Sequence, residues 1–156
     1  MNKLLLPQDI VGGSFWLISV AMIGAAIFFF LERGRLSNRW GTAMNLVGVI
    51  ALMSSIHYFY AKNLWVLNGQ APTALRYIDW ILTFPLTILT FYVMLKSVTD
   101  VKRGMFWRLL VGTLVWVIAQ FLGASGYMSV TLGLLDGIAA WLYTVSYTHL
   151  KLPTKA

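Results

Sequence analysis

The chain has 156 residues, a net charge of +7, 59% hydrophobic residues and only 11% charged residues. Soluble domains carry about one quarter charged residues, and a water-soluble fold of this length could not hide so much apolar surface, so the composition places the chain among membrane proteins. Absence of cysteine excludes disulfides and thiolate-bound metals, and two histidines far apart argue against zinc, so no metal is expected.

The basic residues lie in short clusters between apolar runs, not on one polar face. That pattern reads as a set of topology signals and not as a nucleic-acid surface. The opening segment, Met1 to Asp9, is too short for a complete signal peptide. The first long apolar run can act as the insertion signal instead.

A bilayer-spanning helix needs about 20 mostly apolar residues. Five stretches satisfy this in chain order: Ile10–Leu31, Gly41–Tyr60, Thr73–Leu95, Phe106–Ala124 and Val130–Tyr147. Short connections make successive helices antiparallel. The longest connection, Asn63 to Pro72, contains an Asn68-Gly69 turn signal and predicts a small β-hairpin. Trp16, Trp40, Trp65, Trp107 and Tyr127 lie near segment ends and fit an interfacial belt.

Arg33, Arg35 and Arg39 follow the first segment, and Lys96, Lys102, Arg103 and Arg108 follow the third. The second connection has only Lys62, and the fourth has no charge. Lysine- and arginine-rich loops face the cytoplasm, so the N-terminus is expected outside.

The third segment differs from the others. At about 100° per residue, Arg76, Asp79, Thr83, Thr87 and Thr90 fall at about 0°, 300°, 340°, 20° and 320°, a sector of about 80°. A charge deep in a bilayer costs at least ~2.5 kcal/mol and faces a partner or a water-filled path. An Arg76–Asp79 pair at i, i+3 would explain the charges but not the threonines. A proton route explains both. In it Asp79 takes up and releases a proton, and the opposite charge of Arg76 favours the ionised carboxylate. Thr83 reaches Asp79 or a bound group, and Thr87 and Thr90 continue the polar line. His57, near the outer end of the second segment, matches Asp79 in height and is expected to pair with it. Trp80 offers a flat wall for a pocket, and Pro85 should bend the helix.

The run Arg76-Tyr77-Ile78-Asp79-Trp80-Ile81-Leu82-Thr83-Phe84-Pro85-Leu86 resembles the third helix of microbial rhodopsins, most closely the proteorhodopsin type. Ser14-Phe15-Trp16-Leu17, Phe28 to Arg33, His57-Tyr58, Leu109 to Gly112 and Ala140 to Tyr143 extend the resemblance over about residues 9 to 144. It implies an all-α membrane fold, here five transmembrane helices of a seven-helix bundle around retinal. The retinal would be joined to a lysine of the seventh helix as a protonated Schiff base. By the same resemblance Asp79 is counter-ion and primary proton acceptor, and Arg76 and His57 are its partners. Trp80, Thr83 and Thr87 belong to the retinal pocket. The implied activity is light-driven outward proton transport, not enzymatic catalysis, in the inner (plasma) membrane of a bacterium. Membrane lipid and retinal are the implied partners. A homo-oligomer is compatible with the pattern.

Three departures qualify that expectation. Pumping relatives carry a carboxylate eleven residues after the acceptor as internal proton donor, and here that position is Thr90. This raises a sensory photoreceptor with a transducer partner as the alternative. Asp136 stands mid-segment where an apolar residue is expected, and reads as a buried acid held neutral. Finally, Lys3, Lys62, Lys96, Lys102, Lys151 and Lys155 all lie away from the centre of an apolar helix, so no Schiff-base lysine is present. From Val145 to Thr154 the sequence leaves the family pattern and resembles a translated library-adaptor sequence. Residues 1–145 are therefore expected to be part of a rhodopsin domain, and 146–156 a non-native tail. An unrelated membrane scaffold or transporter with a structural Arg–Asp pair is the reading from another class.

Overall fold

The computed structural model describes residues 5–70 and 72–151. Helices α1 (Ile10–Glu32), α2 (Asn38–Asn68), α3 (Thr73–Val98), α4 (Arg103–Ala124) and α5 (Val130–Lys151) follow in order, with one 3₁₀ turn at Arg33–Arg35. All five expected segments are helical, and the described residues contain no strand.

The first four helices are long and apolar enough to cross a membrane, whereas the described apolar part of α5, Val130–Tyr143, is shorter. Large side chains such as Ile10, Leu31, Ile56 and Leu135 are exposed on the helix surfaces, as lipid-facing residues are. α5 runs through position 145 without a break, and the rest of the expected tail, 152–156, lies outside the described residues.

Asn63 to Pro72 does not form the expected hairpin. α2 continues for 31 residues to Asn68, about 46 Å at ~1.5 Å per residue, beyond the ~30 Å of a hydrocarbon core. Gly69 ends it in the left-handed region at φ 68°, and its N–H donates to the Trp65 carbonyl at 2.7 Å. Asn-Gly suits either a hairpin turn or a helix C-cap, because both need a positive φ. The helical bonds of the preceding turns decide for the cap.

Each helix packs only against its sequence neighbours among the described residues, giving an open row from α1 to α5. Small residues let the first two helices approach closely: Ser19, Ala26, Ala43, Ala51 and Ser55 are all buried. Ser19 Oγ donates to the Ser55 carbonyl and Ser55 Oγ to the Ser19 carbonyl, each at 3.0 Å. At the outer end Asp9 Oδ1 caps α1 by accepting from Gly12 N at 2.9 Å. The same carboxylate accepts the Trp65 indole N–H at 2.9 and 3.1 Å. One acid thus finishes α1 and fastens it to the last turns of α2. Between α4 and α5 glycine meets glycine: a Cβ at Gly133 would lie 3.1 Å from Gly123 Cα.

Candidate functional site

The polar stripe of α3 divides on folding. Asp79, Thr83 and Thr90 are buried, with Asp79 only 6% exposed, while Arg76 and Thr87 are exposed. The split follows helix geometry. The buried members lie at about 300° to 340° and the exposed ones at about 0° to 20°, with α4-facing Tyr77 at about 100°. Arg76 and Thr87 therefore stand in the angle between the neighbouring helices.

Asp79 is held from α2. His57 Nδ1 lies 3.2 Å from Asp79 Oδ1, the pairing expected from their matched heights. The same nitrogen lies 2.9 Å from the Met53 carbonyl oxygen. That carbonyl can only accept, so Nδ1 directs a hydrogen there, with the Asp79 carboxylate at ion-pair distance beside it. One turn earlier on α2, Ser54 Oγ donates towards both Asp79 oxygens, at 3.3 Å each. Sequence reasoning missed Ser54. The signal was its i, i+3 spacing from His57, which puts both on one face.

Arg76 does not bridge Asp79; among the described residues the ion-pair partner of that carboxylate is His57. Arg76 instead lines a cavity of about 230 Å³ with His57 and Asp79, walled by Phe15, Tyr58, Ala61 and Leu75. The cavity lies on the α1–α2–α3 side, next to the outer ends of those helices.

The threonines are used differently from expectation. Thr83 Oγ1 donates to the backbone carbonyl of Asp79 at 2.9 Å, not to its carboxylate. Thr87 donates to the Thr83 carbonyl at 2.9 Å and Thr90 to the Leu86 carbonyl at 2.8 Å. Each hydroxyl hydrogen is spent on its own helix, four residues back.

Trp80 is not a wall of the Asp79 cavity. It stacks on Trp116 of α4 with centroids 5.9 Å apart and planes 16° from parallel. Phe84 meets Trp116 edge-on at 5.4 Å, and Tyr77 meets Phe121 at 5.4 Å. This aromatic layer joins α3 to α4. Pro85 sits inside α3 without interrupting it. Asp136 is exposed, in a groove between α4 and α5 beside Gly112, Ala119 and Ala140, and not enclosed as a buried acid. Described groups of His, Asp and Glu suited to a metal ion are absent.

The fold and this site define a multi-pass membrane protein with a carboxylate buried between two spanning helices. A family model described as bacteriorhodopsin-like protein matches residues 10–155. The chain belongs to that family, the microbial rhodopsins.

The chain is 39% identical over 138 residues to the green-light absorbing proteorhodopsin of Gamma-proteobacterium EBAC31A08, covering 88% of this chain and 55% of that protein. Identity is 41% over the same length to the blue-light absorbing proteorhodopsin of Gamma-proteobacterium Hot 75m4, with the same coverages. The chain thus spans about half the length of these curated relatives. In three dimensions it superposes on the blue light-absorbing proteorhodopsin from Med12 with a TM-score of 0.82 and 35% identity, covering 94% of this chain and 71% of that one. Exiguobacterium sibiricum rhodopsin shares the fold, with a TM-score of 0.74 at 24% identity over 86% of this chain and 61% of that one.

Proposed function

We propose that these five helices form the proton-accepting half of a retinal-binding, light-driven outward proton pump in a bacterial inner membrane. The observation that carries this reading is Asp79: a carboxylate 6% exposed, held by donors from α2 and bordering a cavity. A structural ion pair needs no cavity at the acid. A proton acceptor needs somewhere to send the proton next.

The residues fit the acceptor side of a retinal site. Asp79 supplies a negative charge to balance a cationic Schiff base, and the layer around Trp80 and Trp116 supplies flat apolar surface for a conjugated chain. The amine side is not furnished here. Lys62 lies in the last turns of α2, Lys96 in the last turn of α3 and Lys102 at the N-cap of α4. When bound, retinal supplies the absorption of light and a Schiff-base proton released by isomerisation. With it bound, Asp79 would take up the proton at a carboxylate oxygen, His57 would steady that carboxylate, and the positive charge of Arg76 in the adjoining cavity would favour the later loss of the proton from Asp79. Thr83 and Thr87 would help to hold the chromophore, Thr87 from the exposed edge that further helices would cover. The exposed positions of Arg76 and Thr87 support such a covering.

A second reading, a sensory photoreceptor that signals to a transducer, is favoured by one observation. Thr90 holds the donor position with a hydroxyl already committed to the Leu86 carbonyl. The two readings separate in cells expressing the full-length gene. Illumination should acidify an unbuffered suspension, and an ionophore should abolish the signal. A coloured protein that never changes external pH is a sensor.

A further inference from the structure

α2 carries two adjacent buried serines that face opposite neighbours. Ser55 bonds to Ser19 of α1. Ser54 turns to α3 and donates towards both oxygens of Asp79. A serine or threonine inside a helix commonly returns its hydroxyl hydrogen to the carbonyl four residues back. Thr83, Thr87, Thr90 and Ser97 all do so here. Ser54 does not. Its hydroxyl leaves its own helix and points to the buried Asp79 carboxylate instead.

The geometry separates the jobs of the two α2 donors. His57 Nδ1 approaches a single oxygen, Oδ1, while directing its hydrogen to the Met53 carbonyl. Ser54 Oγ stands 3.3 Å from each oxygen, long for one O–H···O bond and suited to a hydroxyl shared across the carboxylate. It is the contact that reaches Oδ2. Ser54 thereby fixes the plane of the carboxylate, and it can remain a donor whichever oxygen is protonated.

We infer that Ser54 is a positioning residue for the proton acceptor, orienting Asp79 from α2 in concert with His57. This rests on the reading of Asp79 as the acceptor. The contact itself is testable without retinal, so the two can fail separately.

The chain is labelled with carbon-13 aspartate, reconstituted in lipid nanodiscs and measured by infrared difference spectroscopy against its own Asp79→Asn variant. The difference isolates Asp79, through its C=O stretch when protonated and its carboxylate stretches when ionised. Ser54→Ala should shift the Asp79 C=O band to higher frequency, as losing a donor does, or change the splitting of the carboxylate pair. Ser55→Ala, which loosens α1 against α2 but does not touch Asp79, should leave those bands in place. Unmoved bands in Ser54→Ala overturn the inference. Equal movement in both variants also overturns it, because the effect is then general packing. The acceptor reading is tested apart: if Asp79→Asn in the retinal-loaded full-length protein leaves the pH dependence of its colour unchanged, Asp79 is not the counter-ion, while the vibrational result stands.

Discussion

His57 Nδ1 of α2 lies 3.2 Å from Asp79 Oδ1 of α3, and the carboxylate is almost wholly withdrawn from the surface. The pairing joins two helices through one titratable contact. Replacing Asp79 with Asn keeps the shape and removes the charge. In the retinal-loaded full-length protein, Asp79→Asn should reduce light-driven acidification to background. Flash spectroscopy should show the Schiff-base proton leaving at least about a hundredfold more slowly, the lower end of what a positioned proton acceptor contributes. Wild-type kinetics in this variant would remove Asp79 from the reaction.

Thr90 makes an opposed pair of variants informative. Its hydroxyl is spent on the Leu86 carbonyl, so Thr90→Val should change the photocycle by less than about threefold. Thr90→Glu installs a carboxylic acid where pumping relatives have one. Recovery of the Schiff-base proton should then accelerate by about tenfold or more, at the low end for a positioned general acid. A large loss in Thr90→Val would show that the hydroxyl itself moves protons.

Asp9 does two things at once, and the variants separate them. Asp9→Ala removes the α1 cap and the acceptor for Trp65, and should cost about 1–3 kcal/mol. Trp65→Phe keeps the cap and most of the ring, and should cost about 1 kcal/mol. Denaturation in mixed detergent micelles, titrated with sodium dodecyl sulfate, reads both. Equal costs would mean that the cap contributes nothing.

The α4–α5 contact should be intolerant of size. A Cβ at Gly133 would meet Gly123 Cα and the Ala119 carbonyl oxygen, both at 3.1 Å and both backbone atoms that cannot rotate away. Gly133→Ala should destabilise by about 1–3 kcal/mol, and Gly133→Leu should separate the helices. The same denaturation assay measures the first. Loss of cysteine cross-linking between residues engineered at the α4 and α5 ends detects the second.

The 156-residue chain by itself should form no covalent retinal adduct. Lys62 lies near the C-terminal end of α2, Lys96 in the last turn of α3 and Lys102 at the N-cap of α4, and none of them lines the cavity beside Asp79. Borohydride reduction after incubation with retinal, followed by mass spectrometry, should find no retinyl mass on a specific lysine. A stoichiometric adduct on one of them would assign the amine to this half of the fold.

Much of this molecule is one-dimensional information. Burial in lipid imposes a run of apolar residues on each helix, so the number of helices and their order could be read directly. An intramembrane acid is costly enough to stand out, and helical periodicity placed Arg76, Asp79 and the three threonines on one side. Matching heights on antiparallel neighbours brought His57 to Asp79. The run from Arg76 to Leu86 was specific enough to indicate the family. What the sequence alone left open was where each hydrogen goes. A hydroxyl bonds either its own helix or the next, and the choice depends on the distance and rotation between helices. Thr83 turned back on α3, while Ser54 crossed from α2. For the same reason the tertiary structure decided that Arg76 lines a cavity and does not clamp Asp79, and that Trp80 faces α4. The end of α2 was decided by continuity of backbone bonds, which turned an Asn-Gly hairpin signal into a helix cap. Periodicity selects the face of a helix; only packing selects the partner that face meets.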